Sequence, residues 1–384
     1  MKKLLSMILV VSMLAICASC GTNKSSEKPE TVQTEEKGEK EESAEQTKEA
    51  AGVSLEGKRV MLALNALGDL SFNDLLYKGL LAIQDTYGLE VEYAEVGTDI
   101  STYEGYFFDF VDAGYDYVFL RSGFMELCET YAADYPDMRF IVYDTTPLDT
   151  CSADNVYLYS IATYQAAFLV GMAAAGTSET GVIGFVGGQE NPLINDFLCG
   201  YIQGALYADE NIKVCSAFMG DYNDAGKAME LATAQIGNHN ADIIFAACGG
   251  ASLGVFQTCK DKGVLAIGCD SDQYSIYTAN GETDLASVIM TSCLKAINAS
   301  LEAIMKDVAD GVDIFADEQA AALDLSDKVT GVADNENYQK YVSQELRRQI
   351  AEAEQDIISQ KITVKSAYYM SQSEIDELVN SVTP

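Results

Sequence analysis

Two stretches of this chain are built to one pattern. Asp116-Tyr117-Val118-Phe119 is followed by Ser122-Gly123, a helical run, and Phe140-Ile141-Val142-Tyr143-Asp144. Asp242-Ile243-Ile244-Phe245 is followed by Gly249-Gly250, a helical run, and Leu265-Ala266-Ile267-Gly268-Cys269-Asp270. The Asp-to-Asp interval, 116 to 144 and 242 to 270, is the same in both. Each stretch reads as a strand, a glycine turn, a helix and a strand ending in a carboxylate. Short β-rich runs at 89–93, 117–120, 140–143, 182–186, 212–218, 243–246 and 264–268 alternate with helical runs at 74–86, 103–113, 125–134, 163–175, 192–209, 224–236 and 252–262. Such alternation predicts an α/β fold with parallel sheets flanked by helices. The repeated pattern predicts two similar lobes, joined by a hinge that the chain crosses more than once, with a ligand cleft between them.

The loop Gly68-Asp69-Leu70-Ser71-Phe72-Asn73-Asp74 lies between the apolar run Val60-Met61-Leu62-Ala63-Leu64 and a helical pattern at Leu75, Leu76, Leu80, Leu81 and Ile83. In open α/β sheets ligands bind beyond the carboxyl ends of strands, where this loop falls. It offers a ring, an amide, a hydroxyl and carboxylates. It reads equally as a helix start, with Ser71 or Asp69 holding free amides and Phe72 as a staple.

The front of the chain reads as an address. Lys2 and Lys3 precede an apolar run from Leu4 to about Ala18, too short to span a bilayer. Residues 1–19 are expected to be a lipoprotein signal peptide. Cys17-Ala18-Ser19-Cys20-Gly21 resembles a bacterial lipobox and places a lipid on Cys20; an ordinary secretory signal is the alternative. Residues 20–54 hold almost nothing apolar and read as a disordered, lipid-anchored tether. The net charge of -35 argues against nucleic acid as a partner, since phosphate binding needs clustered Lys and Arg. Eight cysteines follow Cys20, with no C-x-x-C pair, most inside apolar runs. Buried free thiols fit them better than a disulfide framework. A single histidine, His239, leaves no ligand set for a metal, and no cofactor is expected.

Residues 55–384 are expected to form the binding domain, with lobe 1 at about 58–160 plus 291–325 and lobe 2 at about 161–290 plus 326–384. Hinge crossings are expected near 160, 290 and 325. Residues 292–309 read as a helix carrying Lys295 in its first turn, 337–360 as helical, and 361–365 as a last strand.

Several of these pieces resemble the basic membrane protein family, the purine nucleoside receptor type of substrate-binding lipoproteins that serve ABC importers, with a type I periplasmic-binding-protein-like fold. The pieces that carry the resemblance include Asp69-x-Ser71-Phe72-Asn73, Gly114-Tyr115-Asp116, Tyr135-Pro136-Asp137 with Asp144, residues 181–188, Gly249-Gly250-x-x-x-Gly254, Gly268-x-Asp270-Ser271-Asp272-Gln273 and Ser292-x-x-Lys295. They run in order from about 58 to 365. The resemblance implies a monomeric receptor on the extracytoplasmic face of the cell membrane, with a nucleoside in its cleft and permease subunits as partners. It implies Phe72 and Phe245 sandwiching the base, Asn73 and Asp144 on its edge, and Asp270 and Lys295 with Gly250 backbone on the ribose. Asp69 and Ser71 belong to the same motif. The chain departs from the pattern at Asn65, where Asp is common, at Arg121, where a small or apolar residue is common, and at Cys248 in place of Ala.

Gly250-Ala251-Ser252-Leu253-Gly254 is a literal G-x-S-x-G, the form of a hydrolase nucleophile elbow. That mechanism needs a histidine after the serine, and His239 precedes it. The better reading is a tight turn with Ser252 capping a helix, and no enzyme. Glu190 with Asp196 and Asp221 with Asp224 read as caps and solvated charges. A sugar receptor of the same architecture, or a lipid-anchored sensor without an importer, remains open beside the nucleoside receptor.

Overall fold

A computed structural model of the protein describes residues 52–316 and 320–384. The expected signal peptide, the lipidation at Cys20 and the tether as far as residue 51 lie outside the described residues. The expected tether end at 54 is corrected: the Val53 amide donates to Ala309 O at 2.8 Å and Leu55 is buried, so packing begins earlier.

Twelve strands form two six-stranded sheets. They are β1 (Arg59–Leu64), β2 (Glu90–Glu95), β3 (Tyr117–Arg121), β4 (Arg139–Tyr143), β5 (Val156–Ile161), β6 (Val182–Gly187), β7 (Lys213–Phe218), β8 (Ile243–Ala247), β9 (Leu265–Asp270), β10 (Ile289–Lys295), β11 (Ala320–Leu323) and β12 (Thr330–Val332). The first sheet runs β11-β5-β4-β3-β1-β2 and the second β12-β10-β9-β8-β6-β7. The two orders match strand for strand. The first sheet is parallel throughout, and the second is parallel except for β12, which is antiparallel to β10. In each sheet the strand order reverses beside the first strand, which is the switch point where such sheets open a crevice.

The paired aspartates do equivalent work in the two lobes. Asp116 accepts from the Arg59 amide at 2.8 Å and tethers the start of β1 to β3. Asp242 accepts from the Glu179 and Thr180 amides at 2.7 and 2.9 Å and tethers the approach to β6. Asp144 and Asp270 both follow or end a central strand with left-handed backbone, at φ of 61° and 65°. Only a few per cent of non-glycine residues adopt that conformation. Its recurrence at matched positions turns both carboxylates out of their sheets at the same rim.

The chain crosses between lobes after β5, after β10 and after β11. Backbone bonds hold the crossings side by side: Ala162 N donates to Leu323 O at 2.8 Å and Ala296 N to Val329 O at 2.7 Å. Two expectations are corrected here. Residues 291–295 belong to the second sheet, and Lys295 ends β10 rather than opening a helix; β-pairing with β9 and β12 holds the chain extended to that point. The helix that follows, Ile297–Ala309, packs on the first lobe's helix Phe72–Tyr87, where the Cβ of an alanine at 79 would meet Asn298 Cα at 2.8 Å. Residues 361–365 pair in no sheet, and 337–360 divides into helices Glu336–Tyr341 and Gln344–Ile358. Strand β5 has no counterpart among the predicted runs.

Behind the second sheet, helices Thr163–Thr177 and Pro192–Ala208 are buried almost all round. Their approach rests on glycines: a Cβ at Gly171, Gly200 or Gly204 would sit 2.2, 2.3 or 1.8 Å from a carbonyl oxygen of the facing helix. A carbonyl cannot swing aside as a flexible side chain can. Gly204→Ala should therefore lower the unfolding free energy by about 1–3 kcal/mol or more. Gly237→Ala, on an exposed helical turn with open space around it, should instead raise it by up to about 1 kcal/mol. Urea melts of the two variants check the contrast.

Candidate functional site

A cavity of about 670 Å³ opens between the lobes at the carboxyl ends of the strands. The first lobe contributes Asn65, Asp69, Phe72, Asn73, Arg121 and Asp144 to its wall. The second contributes Phe197, Tyr222, Gly250 and Asp270, together with Lys295 at the end of β10. Of the residues expected from sequence, all but Ser71 and Phe245 line the cavity.

The Asp69 loop builds itself before it offers anything to a ligand. Asp69 accepts from the amides of Ser71, Asn73 and Asp74 and from Asn73 Nδ2, at 2.8–3.2 Å. It is the residue that holds the helix start, whereas Ser71 makes no capping bond. Asn73 Oδ1 accepts from the Asn65 amide at 2.9 Å. One hydrogen and one lone pair of the Asn73 amide thus remain for a partner. Asp74 accepts from the Gly68 and Leu70 amides at 2.8 and 2.9 Å, so the loop is cross-braced throughout.

Ser71 has a different task. It is buried, and its hydroxyl donates across the cleft to Asp270 Oδ2 at 2.7 Å. Ser271 Oγ returns the contact by donating to Leu70 O at 3.1 Å. The lobes therefore touch directly behind the cavity, and Ser71 latches them there.

Lys295 is buried and donates to Asp144 from the first lobe. Its Nζ also lies 4.7 Å from the centre of the Phe72 ring. Burial pushes the Lys295 ammonium towards deprotonation, but Asp144 and Asp270 together outweigh burial and hold it above the usual lysine range. Burial pushes the Asp270 carboxyl up to about 6, against Lys295 and the Ser71 hydrogen bond, which pull it down. This cluster joins two carboxylates, one from each lobe, through one cation. Carboxylates so placed can accept the hydroxyls of a polyol.

Phe245 is corrected. It lies fully buried in mid-strand among Tyr201, Phe185 and Phe197, with ring centres 5.3, 5.4 and 6.2 Å away. Both faces of a parallel sheet are covered by helices, so a ring inside the strand is core whichever way it points. The second lobe's aromatics at the cavity are Tyr222, beyond β7, and Phe197, on helix Pro192–Ala208. Gly188 makes room for Tyr222: a Cβ there would lie 2.2 Å from the ring. Asn191 Nδ2 donates to the Tyr222 hydroxyl at 3.2 Å. Sequence carried a signal for Tyr222, since Met219-Gly220-Asp221-Tyr222 follows a strand just as the Asp69 loop does. Tyr368, from the segment before the last helix, also reaches the wall, and nothing in its surroundings in sequence pointed to it.

The remaining candidates fall away from the site. Ser252 opens helix Ser252–Lys262 without capping it; its buried hydroxyl donates to Ala246 O at 3.3 Å. His239 is exposed at the end of helix Ala225–His239, not in a loop. Asp196 is no solvated charge: it is buried, accepts from Ser366 Oγ and Ala367 N at 2.6 and 2.8 Å, and burial pushes its carboxyl up to about 6. It pins the C-terminal segment to the second lobe. All eight described cysteines are buried and unpaired. Among the described residues no helix is long and apolar enough to cross a membrane.

Residues 58–367 match the Bmp family, described as ABC transporter substrate-binding protein PnrA-like. The chain belongs to this family. It is 28% identical over 320 residues to the ABC transporter nucleoside-binding protein BmpA of Lactococcus lactis subsp. cremoris, covering 79% of this chain and 87% of the relative. It is 27% identical over 303 residues to basic membrane protein A of Borreliella burgdorferi, covering 78% and 84%. The fold is shared with an ABC transporter solute-binding protein from Aeropyrum pernix K1, at a TM-score of 0.72 and 21% identity, over 85% of this chain and 97% of that one. As a member of an ABC transporter substrate-binding family, this chain is a binder of a small solute and a partner of permease subunits.

The buried carboxyl of Asp270 gives a pH test of the cluster. Its folded-state pKa, about 6, lies above the unfolded value of 3.8. The stability it contributes is therefore full below the unfolded value and is lost as pH rises through about 6. Asp270→Asn should flatten this decline between about pH 4 and 6, by an amount on the order of 1–3 kcal/mol. Asp196 titrates in the same direction and should leave a residual slope. Urea melts across that range check it, and an unchanged slope in Asp270→Asn would exclude Asp270 as its source.

Proposed function

We propose that this Bmp-family protein captures a purine nucleoside in its interlobe cleft and delivers it to the permease subunits of an ABC importer. The observation that carries the reading is the division of the cavity wall. Asp144, Lys295 and Asp270 form a polar cluster suited to ribose hydroxyls, and Phe72 from one lobe with Tyr222 and Phe197 from the other line the same cavity, rings suited to the apolar faces of a base. The Lactococcus relative is a nucleoside-binding protein, which supports the same ligand class. Asn73 keeps hydrogen-bonding capacity towards a base edge, and a Cβ built at Gly250 would stand 3.7 Å from Asp69 of the other lobe, so the lobes approach closely at that point. The protein is anchored through a lipid on Cys20 and works as a monomer. Hydroxyl recognition by charged groups and stacking on rings are both realised fully only when the lobes close, so binding and closure are one event.

Calorimetric titration checks this, with the protein unfolded and refolded to strip co-purified ligand. The panel is adenosine, guanosine, inosine, cytidine, uridine, ribose, glucose and galactose. A purine nucleoside should bind at micromolar or tighter affinity. Phe72→Ala and Tyr222→Ala should each weaken it by about 1–3 kcal/mol. Phe245→Ala should instead lower stability by about 3–5 kcal/mol and leave the affinity of the folded protein nearly unchanged. Binding of a free sugar with no response to any nucleoside would overturn the nucleoside reading.

A further inference from the structure

Arg121 ends β3 and lines the cavity from the first lobe, in register with Tyr143 at the end of β4. Its Nη1 donates to Asn65 Oδ1, to Gly97 O at 3.2 Å and to the Tyr103 hydroxyl oxygen at 3.0 Å. The Tyr103 hydroxyl in turn donates to Gly97 O at 2.9 Å. Every one of these acceptors is neutral. Among the described residues no carboxylate pairs with Arg121, and its Nε and Nη2 donate to no protein group. The contrast with the other cation of the cavity is sharp, because Lys295 faces two carboxylates. Asp69, the acid on the same wall, has both oxygens filled by donors of its own loop.

The position of this half-used fork matters. Asn65, Gly97 and Arg121 mark the ends of β1, β2 and β3, whereas Asp144, Asp270 and Lys295 mark the ends of β4, β9 and β10. Strand β3 lies beside β4 and Arg121 pairs with Tyr143, so the free edge of the guanidinium stands one strand from Asp144, while Asp270 and Lys295 come from the other sheet. The cavity therefore presents a planar set of donors beside its hydroxyl acceptors, and a ligand that meets both carries hydroxyls together with a pair of adjacent acceptor atoms. A guanidinium satisfies two adjacent acceptors at once, and O6 with N7 of a 6-oxopurine is the pair it meets most often in base recognition. An adenine edge offers an amino group beside N7 and would set donor against donor. A carboxylate also offers paired acceptors, but Asp69, Asp144 and Asp270 already crowd this cavity with negative charge, which favours a neutral ligand.

We infer that Arg121 is a specificity-determining residue that makes this cleft select 6-oxopurine nucleosides over adenosine, by donating from its free edge to O6 and N7. The inference rests on the nucleoside reading of the cleft and narrows it. Calorimetry with guanosine, inosine, adenosine and 7-deazaguanosine tests it on the wild-type chain and on R121M and R121K. The wild type should bind guanosine and inosine more tightly than adenosine, and loss of N7 in 7-deazaguanosine should weaken binding several-fold. R121M should lose about five- to a hundred-fold in guanosine affinity with little change for adenosine. R121K keeps the charge but not the fork and should lose most of the preference. A wild type that favours adenosine, or that binds 7-deazaguanosine as well as guanosine, overturns the inference without recourse to any variant. Equal losses for guanosine and adenosine in R121M also overturn it, since Arg121 would then only brace the Asn65 and Gly97 loops. If the wild type binds nucleosides without preference, this inference alone fails. If it binds none, the nucleoside reading fails and takes the inference with it.

Discussion

A lysine ammonium held out of water needs carboxylates around it, and Lys295 finds its two on different lobes. Removing one partner from such a buried ion pair leaves an uncompensated charge, which is far more costly than never having built the pair. Asp144 reaches Lys295 from the first lobe, and Asp270 approaches from the second while holding Ser71 of the first. The lysine itself stands at the last residue of β10, one step before the chain crosses the hinge. The cluster is thus satisfied only when both lobes are correctly placed about the crossing. The left-handed backbone at Asp144 and at Asp270 belongs to the same requirement, because it turns each carboxylate off its strand and into the cleft.

The rest of the site follows from that geometry. With the lobes fixed at Lys295 and latched through Ser71, the Asp69 loop and the Gly250 turn come face to face, and Phe72 and Tyr222 line the same cavity from different lobes. The Phe72 ring also packs against Lys295 and, at 6.0 Å between ring centres, against Tyr143. The Phe72 ring and the polar cluster are therefore one assembly. The second lobe's dense pair of helices provides the rigid backing. Its glycines let Thr163–Thr177 and Pro192–Ala208 approach backbone to backbone, which fixes where Phe197 meets the cavity.

Individual residues show where sequence reading succeeds and where it stops. Asp69, Asn73, Asp144, Gly250 and Asp270 were legible because each follows or ends an apolar run, and strand ends are where an α/β sheet presents side chains to a ligand. Phe245 was misplaced because it sits inside such a run, where helices cover both faces of the sheet. Tyr222 also follows a strand, but its loop carries no distinctive motif. Lys295 is marked by its motif, but local periodicity suggests a helix there and does not reveal that β9 and β12 hold the segment extended. Asp196 shows the same limit: its charge suggests a surface, and only the returning C-terminal segment, distant in sequence, buries it.

By itself the sequence determined the α/β alternation, the duplicated β-α-β unit with its strand-end aspartates, and the loop that opens the first helix. These are local properties, set by side-chain periodicity and turn chemistry over spans of a few tens of residues. It also determined family membership, through short motifs spread in order along the domain. Only the tertiary structure decided which aromatic rings line the cleft, that Ser71 bonds Asp270 rather than its own helix, and that Arg121 stands among neutral acceptors. Those outcomes depend on residues far apart in the chain being brought to one rim by the hinge crossings. The energy of a buried charge or an unused donor is set by its neighbours in space, which no local pattern encodes.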